Sequence, residues 1–190
     1  MTKVTVRRRL ARWTISVLVA SVGIAIAAYG SRPQPLPEID PRRPFQTGQW
    51  QILPLKAYTS VEPIAGFDPR GKPALVLEVV LTNRTANTSS DYLALFAPVA
   101  GIEVNAPPPI VVLLRDSLDN ITPALHPSIR EAVAFVWLDH RANGPTSFIV
   151  NAKTFKSADN LRGLPGWFNN APIGRMTIDV SNDWGDRASP

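Results

Sequence analysis

Few residues in this chain are equipped for chemistry, and their spacing limits what that chemistry can be. His126 and His140 stand apart, beside Pro and Arg, with no H-x-H or H-E-x-x-H spacing to converge on a transition metal. Cysteine is absent, which removes thiol catalysis, cysteine metal sites and a lipidated cysteine. The chain has no G-x-S-x-G elbow, S-x-x-K, phosphate-cradling loop or dinucleotide turn. The remaining candidates are carboxylates: Asp116, Asp119, Glu131 and Asp139. Two of them roughly 5–10 Å apart would suit acid–base hydrolysis. A calcium loop would need a glycine bend, which Arg115–Asn120 lacks, so that stretch reads as a polar turn. The sequons at Asn83, Asn87 and Asn120 fall in expected turns and read as incidental matches. No catalytic residue, metal or cofactor is assigned, and the expectation is a non-enzyme. The alternative is a membrane-anchored hydrolase acting on envelope sugars or peptides through Asp116, Asp139 or Glu131.

The charge pattern is more informative than these scattered groups. Lys3, Arg7, Arg8, Arg9 and Arg12 are the only charged side chains in residues 1–30, so 31–190 hold 15 basic and 15 acidic residues. The net charge of +5 therefore belongs to the N-terminus, and a nucleic-acid partner, which needs a basic folded surface, is not expected. Trp13–Tyr29, directly after the basic cluster, holds no charged side chain, and the apolar run Leu10–Tyr29 has Trp13 and Tyr29 near its ends. As a helix at ~1.5 Å per residue it would span roughly 30 Å, the hydrocarbon thickness of a bilayer. The basic flank places the N-terminus in the cytoplasm and the rest outside. Ala25-Ile26-Ala27 also fits signal-peptide cleavage, but the apolar run exceeds the usual h-region of ~7–15 residues. An uncleaved signal anchor is the favoured reading.

The organisation that follows is a cytoplasmic tail (1–9), a transmembrane helix (10–29), a proline-rich stalk (30–47), an extracytoplasmic domain (48–182) and a C-terminal tail (183–190). Five prolines in Ser31–Pro44 favour extended polyproline II, either as a semi-rigid spacer or as a disordered tether. Within the domain the hydrophobic period is that of strands. Leu75, Leu77, Val79 and Leu81 share one face of Ala74–Asn83, and Val133, Phe135 and Trp137 alternate along Ala132–Asp139. Further strands are expected at Trp50–Tyr58, Tyr92–Phe96, Ile110–Leu114, Phe148–Phe155 and Arg175–Val180. About seven short strands between turn-forming segments predict an antiparallel sandwich or barrel, with the two alternating sets facing each other across two sheets.

Lys156–Arg175 shows neither period and reads as a long loop presenting Leu164, Trp167 and Phe168. Those three are the partner-binding candidates, since apolar and aromatic side chains centre interfaces. Trp167 and Phe168 folding back to plug one end of the domain is the competing role.

Three stretches give the domain a family likeness: Gly71–Asn83, a strand ending in Asn before a polar turn; Leu125–Glu131 followed by Ala134–Trp137; and Thr177–Val180 as a closing strand. Over about 48–182 the chain resembles the immunoglobulin-like domains of unknown function on bacterial membrane-anchored envelope proteins. Ser128 stands where those domains commonly have glycine. The resemblance implies an all-β, immunoglobulin-like sandwich with a binding or accessory role and no catalytic residues to carry over. Together these readings predict a single-pass cell-membrane protein whose extracytoplasmic domain engages an envelope or transporter-associated membrane protein partner.

Overall fold

The computed structural model describes residues 35–99, 108–114, 121–158 and 163–182. The tail 1–9, the expected span 10–29, Asp116, Asp119 and the tail 183–190 lie outside the described residues. No helix among the described residues is long and apolar enough to cross a membrane. The strands are β1 (Glu38–Ile39), β2 (Phe45–Gln46), β3 (Trp50–Ser60), β4 (Ala74–Asn83), β5 (Phe96–Pro98), β6 (Ile110–Leu113), β7 (Arg130–Leu138), β8 (Gly144–Lys156) and β9 (Gly166–Asn182). They form one sheet in the order β5-β8-β9-β3-β4-β7-β6, with β1 added to β9 and β2 to β3. Most pairs are antiparallel, but β1 and β3 both run parallel to β9, so the sheet is mixed rather than the antiparallel one expected.

The sheet curls on itself. β5 lies at one end of the strand order and β7 next to the other, yet Phe96 and Phe135 meet edge to face with centroids 5.0 Å apart. Trp137 on β7 and Phe148 on β8 are 5.7 Å apart by the same closure. The alternating residues of β4 and β7 are buried as expected, but they do not face one another. They are side-by-side register partners on one sheet face, Leu75 with Trp137 and Leu77 with Phe135. Their opposing wall comes from Phe96, Phe148, Val150 and Met176. Directly paired strands present the same face at each register position, which the period of either strand alone does not reveal.

The outer face of β4 is also covered. Val76, Ala134, Val136 and Val112 form a second apolar cluster with Ile64, against which Phe67 packs. Ile64 and Phe67 exchange backbone hydrogen bonds of 2.8 and 2.9 Å across a turn in which Ala65 has φ 46° and Gly66 φ 90°. Positive φ at both central residues is the type I′ pattern, which suits Asn-Gly and strains Ala. Ala65→Asn is therefore expected to stabilise the fold by roughly 0.5–1 kcal/mol in urea unfolding. A loss of stability would show that the turn is held by something other than its backbone.

Two segments depart from the expected organisation. The compact unit begins at Leu36, and within the proline-rich stretch Glu38–Ile39 pair with Arg175–Met176 while Phe45–Gln46 pair with Ile52–Gln51. Proline is compatible with sheet edges, where a missing N–H costs no ladder bond, so the residues between prolines can still pair. Tyr92–Phe96 is not a strand: residues 91–94 form a turn and β5 starts at Phe96. Tyr92 is fully buried there, its hydroxyl donating to the Pro123 carbonyl, and burial pushes its phenol well above the usual range. The ring is thus held neutral. This contribution is complete below the ordinary tyrosine range and is lost as alkali ionises the unfolded chain.

Candidate functional site

The segment expected as a loop is largely strand. β8 and β9 form a long hairpin whose pairing continues through Thr154–Phe168, Phe155–Trp167 and Lys156–Gly166. Register shifts between Val150 and Asn151 and between Ala152 and Thr154 interrupt the two-residue period, which explains why no strand pattern is visible in this sequence. Beyond Val150 the described strands leave this hairpin as a two-stranded arm, since β5 ends its pairing with β8 at Val150 and β1 meets β9 only at Arg175 and Met176.

The base of the arm is tied to the turn at residues 91–94, ahead of β5. Lys153 pairs with Asp91, and the Asn151 amide donates to the Ala94 carbonyl at 2.9 Å. Further out, Trp167 packs edge-on against Phe155 with centroids 5.4 Å apart. Trp167 also lies over Gly48, where φ is +79° and an added Cβ would sit 2.9 Å from the ring. Only glycine allows that approach in that conformation. Phe168 is half-buried and folds back over Gly166. Leu164, by contrast, is 61% exposed and Phe155 is 53% exposed.

The three candidates are therefore placed on one arm but differ in setting. Leu164 is open to solvent, while Trp167 and Phe168 each show part of a ring. Neither aromatic belongs to the main core, which is built around Trp50, Tyr92, Phe96, Phe135, Trp137 and Phe148. Phe155 joins them at the same surface, a residue whose place on a strand gave no reason to single it out.

A concave feature lies where the curled sheet stays open. A groove of about 320 Å³ runs along the β5 edge, lined mainly by apolar groups of Phe96, Pro98, Pro108, Pro109 and Trp137, with Asn151 and Asn170 at its rim. Nothing in the linear pattern foretold it, because its walls come from five separate segments.

The ionisable candidates are dispersed. Glu131 and Asp139 sit toward opposite ends of β7, eight residues apart, which is roughly 26 Å along a strand. Asp139 bonds Lys72 at 2.7 Å, whereas Glu131 is buried. Glu78, which the sequence does not single out, is buried on the outer face and accepts the Tyr58 hydroxyl at 2.9 Å, with the Lys56 ammonium 3.3 Å away. His126 Nδ1 lies 2.9 Å from the Thr88 hydroxyl on the surface, and His140 is buried. Among the described residues no three His, Cys, Asp or Glu converge as a metal site. Asn83, first residue of one sequon, is fully buried and hydrogen-bonded, so its amide is closed to glycan transfer.

No protein-family model and no curated protein matches the chain. A solved structure of a provisionally described lipoprotein from Staphylococcus aureus subsp. aureus NCTC 8325 superposes with a TM-score of 0.44 at 8% sequence identity. The superposition covers 74% of this chain and 96% of that one.

Proposed function

We propose that the chain is a non-enzymatic, membrane-anchored binding or accessory module of the cell envelope. An N-terminal signal anchor holds an extracytoplasmic immunoglobulin-like domain that engages partners through the apolar arm bearing Leu164, Trp167 and Phe168. The observation carrying this reading is the charge step. All excess positive charge lies at or before Arg12, in the first turn of the apolar run Leu10–Tyr29; Trp13–Tyr29 is uncharged, and everything after it is neutral overall.

The sheet order supports the immunoglobulin-like assignment. Lettering β3 to β9 as A to G turns β5-β8-β9-β3-β4-β7-β6 into C-F-G-A-B-E-D, the CFG and ABED sets of that fold joined through the first strand. Ser128 has φ 61°, which accounts for the preference for glycine at the corresponding place in the domains this chain resembles. Glu131 and Asp139 are too far apart to act as the hydrolase alternative's carboxylate pair, and its third candidate, Asp116, lies outside the described residues.

Protease added to intact protoplasts should remove the domain, and sequencing of the membrane-retained fragment should begin at the chain's own N-terminus. Full protection of the domain would overturn the orientation. A mature chain starting after Ala27 would replace the anchor with a cleaved signal.

A further inference from the structure

We propose that the end of the β8–β9 arm is a lipid-docking surface, with Phe155, Leu164, Trp167 and Phe168 seated in the headgroup boundary of the bilayer. The inference rests on the anchor reading above and names what that apolar surface meets first.

Strand direction is the first ground. β1 pairs in parallel with β9 through Glu38–Arg175 and Ile39–Met176, and the Arg175 N–H donates to the Pro37 carbonyl at 2.8 Å. β9 runs away from the arm's tip, so the chain enters β1 travelling from the tip side. Continuing that register sets Leu36 level with Ile173.

Reach is the second ground. Six residues lie between Tyr29 and Leu36, and the seven Cα-to-Cα steps fully extended cover at most ~25 Å. From Ile173 back to Gly166 the strand covers up to ~23 Å in the same direction. With Tyr29 at the headgroup level, the tether's greatest reach is about the length of the arm. A short tether entering from the tip side brings the tip to the membrane.

Chemistry is the third ground. Phe155 and Leu164 are among the most exposed large apolar side chains of the domain, and two partly exposed aromatic rings accompany them. Exposed Lys156 lies beside them, and with Lys153 paired to Asp91, the sequence from Thr154 to Gly174 still holds Lys156 and Arg162 against a single acid, Asp159. Aromatic and aliphatic groups beside lysine suit an anionic lipid interface. The opposite end of the domain carries exposed Asp68, Arg70, Lys72, Asp139 and Arg141, a composition suited to water.

The chain lacks cysteine, so single thiols can be introduced into the full-length protein without background. Leu164→Cys and Phe155→Cys report on the tip, and Arg141→Cys on the far end. Each variant is reconstituted in phosphatidylcholine–phosphatidylglycerol liposomes and nitroxide-labelled, and the relaxation caused by oxygen and by a water-soluble nickel chelate is compared. Both tip labels should show an oxygen-to-nickel accessibility ratio severalfold above that of the Arg141 label. Equal ratios at the two ends, in a chain that resists carbonate extraction, would overturn lipid docking and leave the anchor standing. Tip labels shielded from both relaxants would mean contact with protein, which also overturns it. Extraction of the chain by carbonate would remove the anchor and the tether geometry together.

Discussion

Phe135→Ala is expected to cost about 3–5 kcal/mol in urea unfolding, the largest loss from any single truncation in this domain. Phe135 is fully buried on β7 and lies at the junction of the aromatic cluster. Its ring meets Phe96 at 5.0 Å, Trp137 at 6.1 Å and Tyr92 at 6.2 Å, so it touches both ends of the curled sheet. Truncation leaves a cavity between rigid rings that cannot collapse to fill it, and it removes edge-to-face contacts beyond the buried area. Phe135→Leu keeps most of the volume and should lose far less. Similar losses for the two variants would mean that the site closes over its own vacancy and that the sheet ends are not held apart by these rings.

Asn83→Ala is expected to cost about 2–4 kcal/mol, since buried hydrogen-bonding groups lose their partners without gaining water. The Asn83 amide donates to the carbonyls of Asn87 and Leu125, both at 2.8 Å. Its side-chain oxygen accepts from the Thr85 N–H at 2.9 Å and the Thr85 hydroxyl at 2.8 Å. One buried side chain thus shapes the turn after β4 and fastens it to the segment leading into β7. Asn83→Asp is nearly isosteric but turns a donor toward two carbonyls into an acceptor, so it should be at least as damaging as alanine. If Asn83→Asp melts like the parent protein, the amide is not the donor to Leu125 and the turn has another fastening.

How much of this was legible in the sequence depended on how regular each strand is. Ala74–Asn83 read correctly to its ends because an uninterrupted alternation stops at a polar turn, and β4 has the same bounds. Trp137 and Phe135 read as core for the same reason. The outer half of β9 did not read as strand, because two register shifts and Pro172 displace the alternation just where Trp167 and Phe168 sit. β1 and β2 are two residues each, too short for any period to show, and the prolines around them suggest an extended linker. Leu164 was recognisable as an apolar residue among turn formers. Phe155 and the groove beside Trp137 depend on which strands become neighbours, and that is decided by tertiary closure rather than by local pattern.

The parallel attachment of β1 to β9 also has a mechanical meaning. A pull on the chain ahead of Pro37, directed back along the strand, loads the Glu38–Arg175 and Ile39–Met176 contacts in shear rather than peeling them one at a time. Ile39 adds a steric catch, since its side chain fills the space over Gly174 so closely that a Cβ there would come within 2.5 Å of it. The clip is only two residue pairs long, and through Ile39 and Met176 it rests on the main core. Tension on the preceding chain is thus met at the edge of β9, by a contact that carries load along the strands rather than across them.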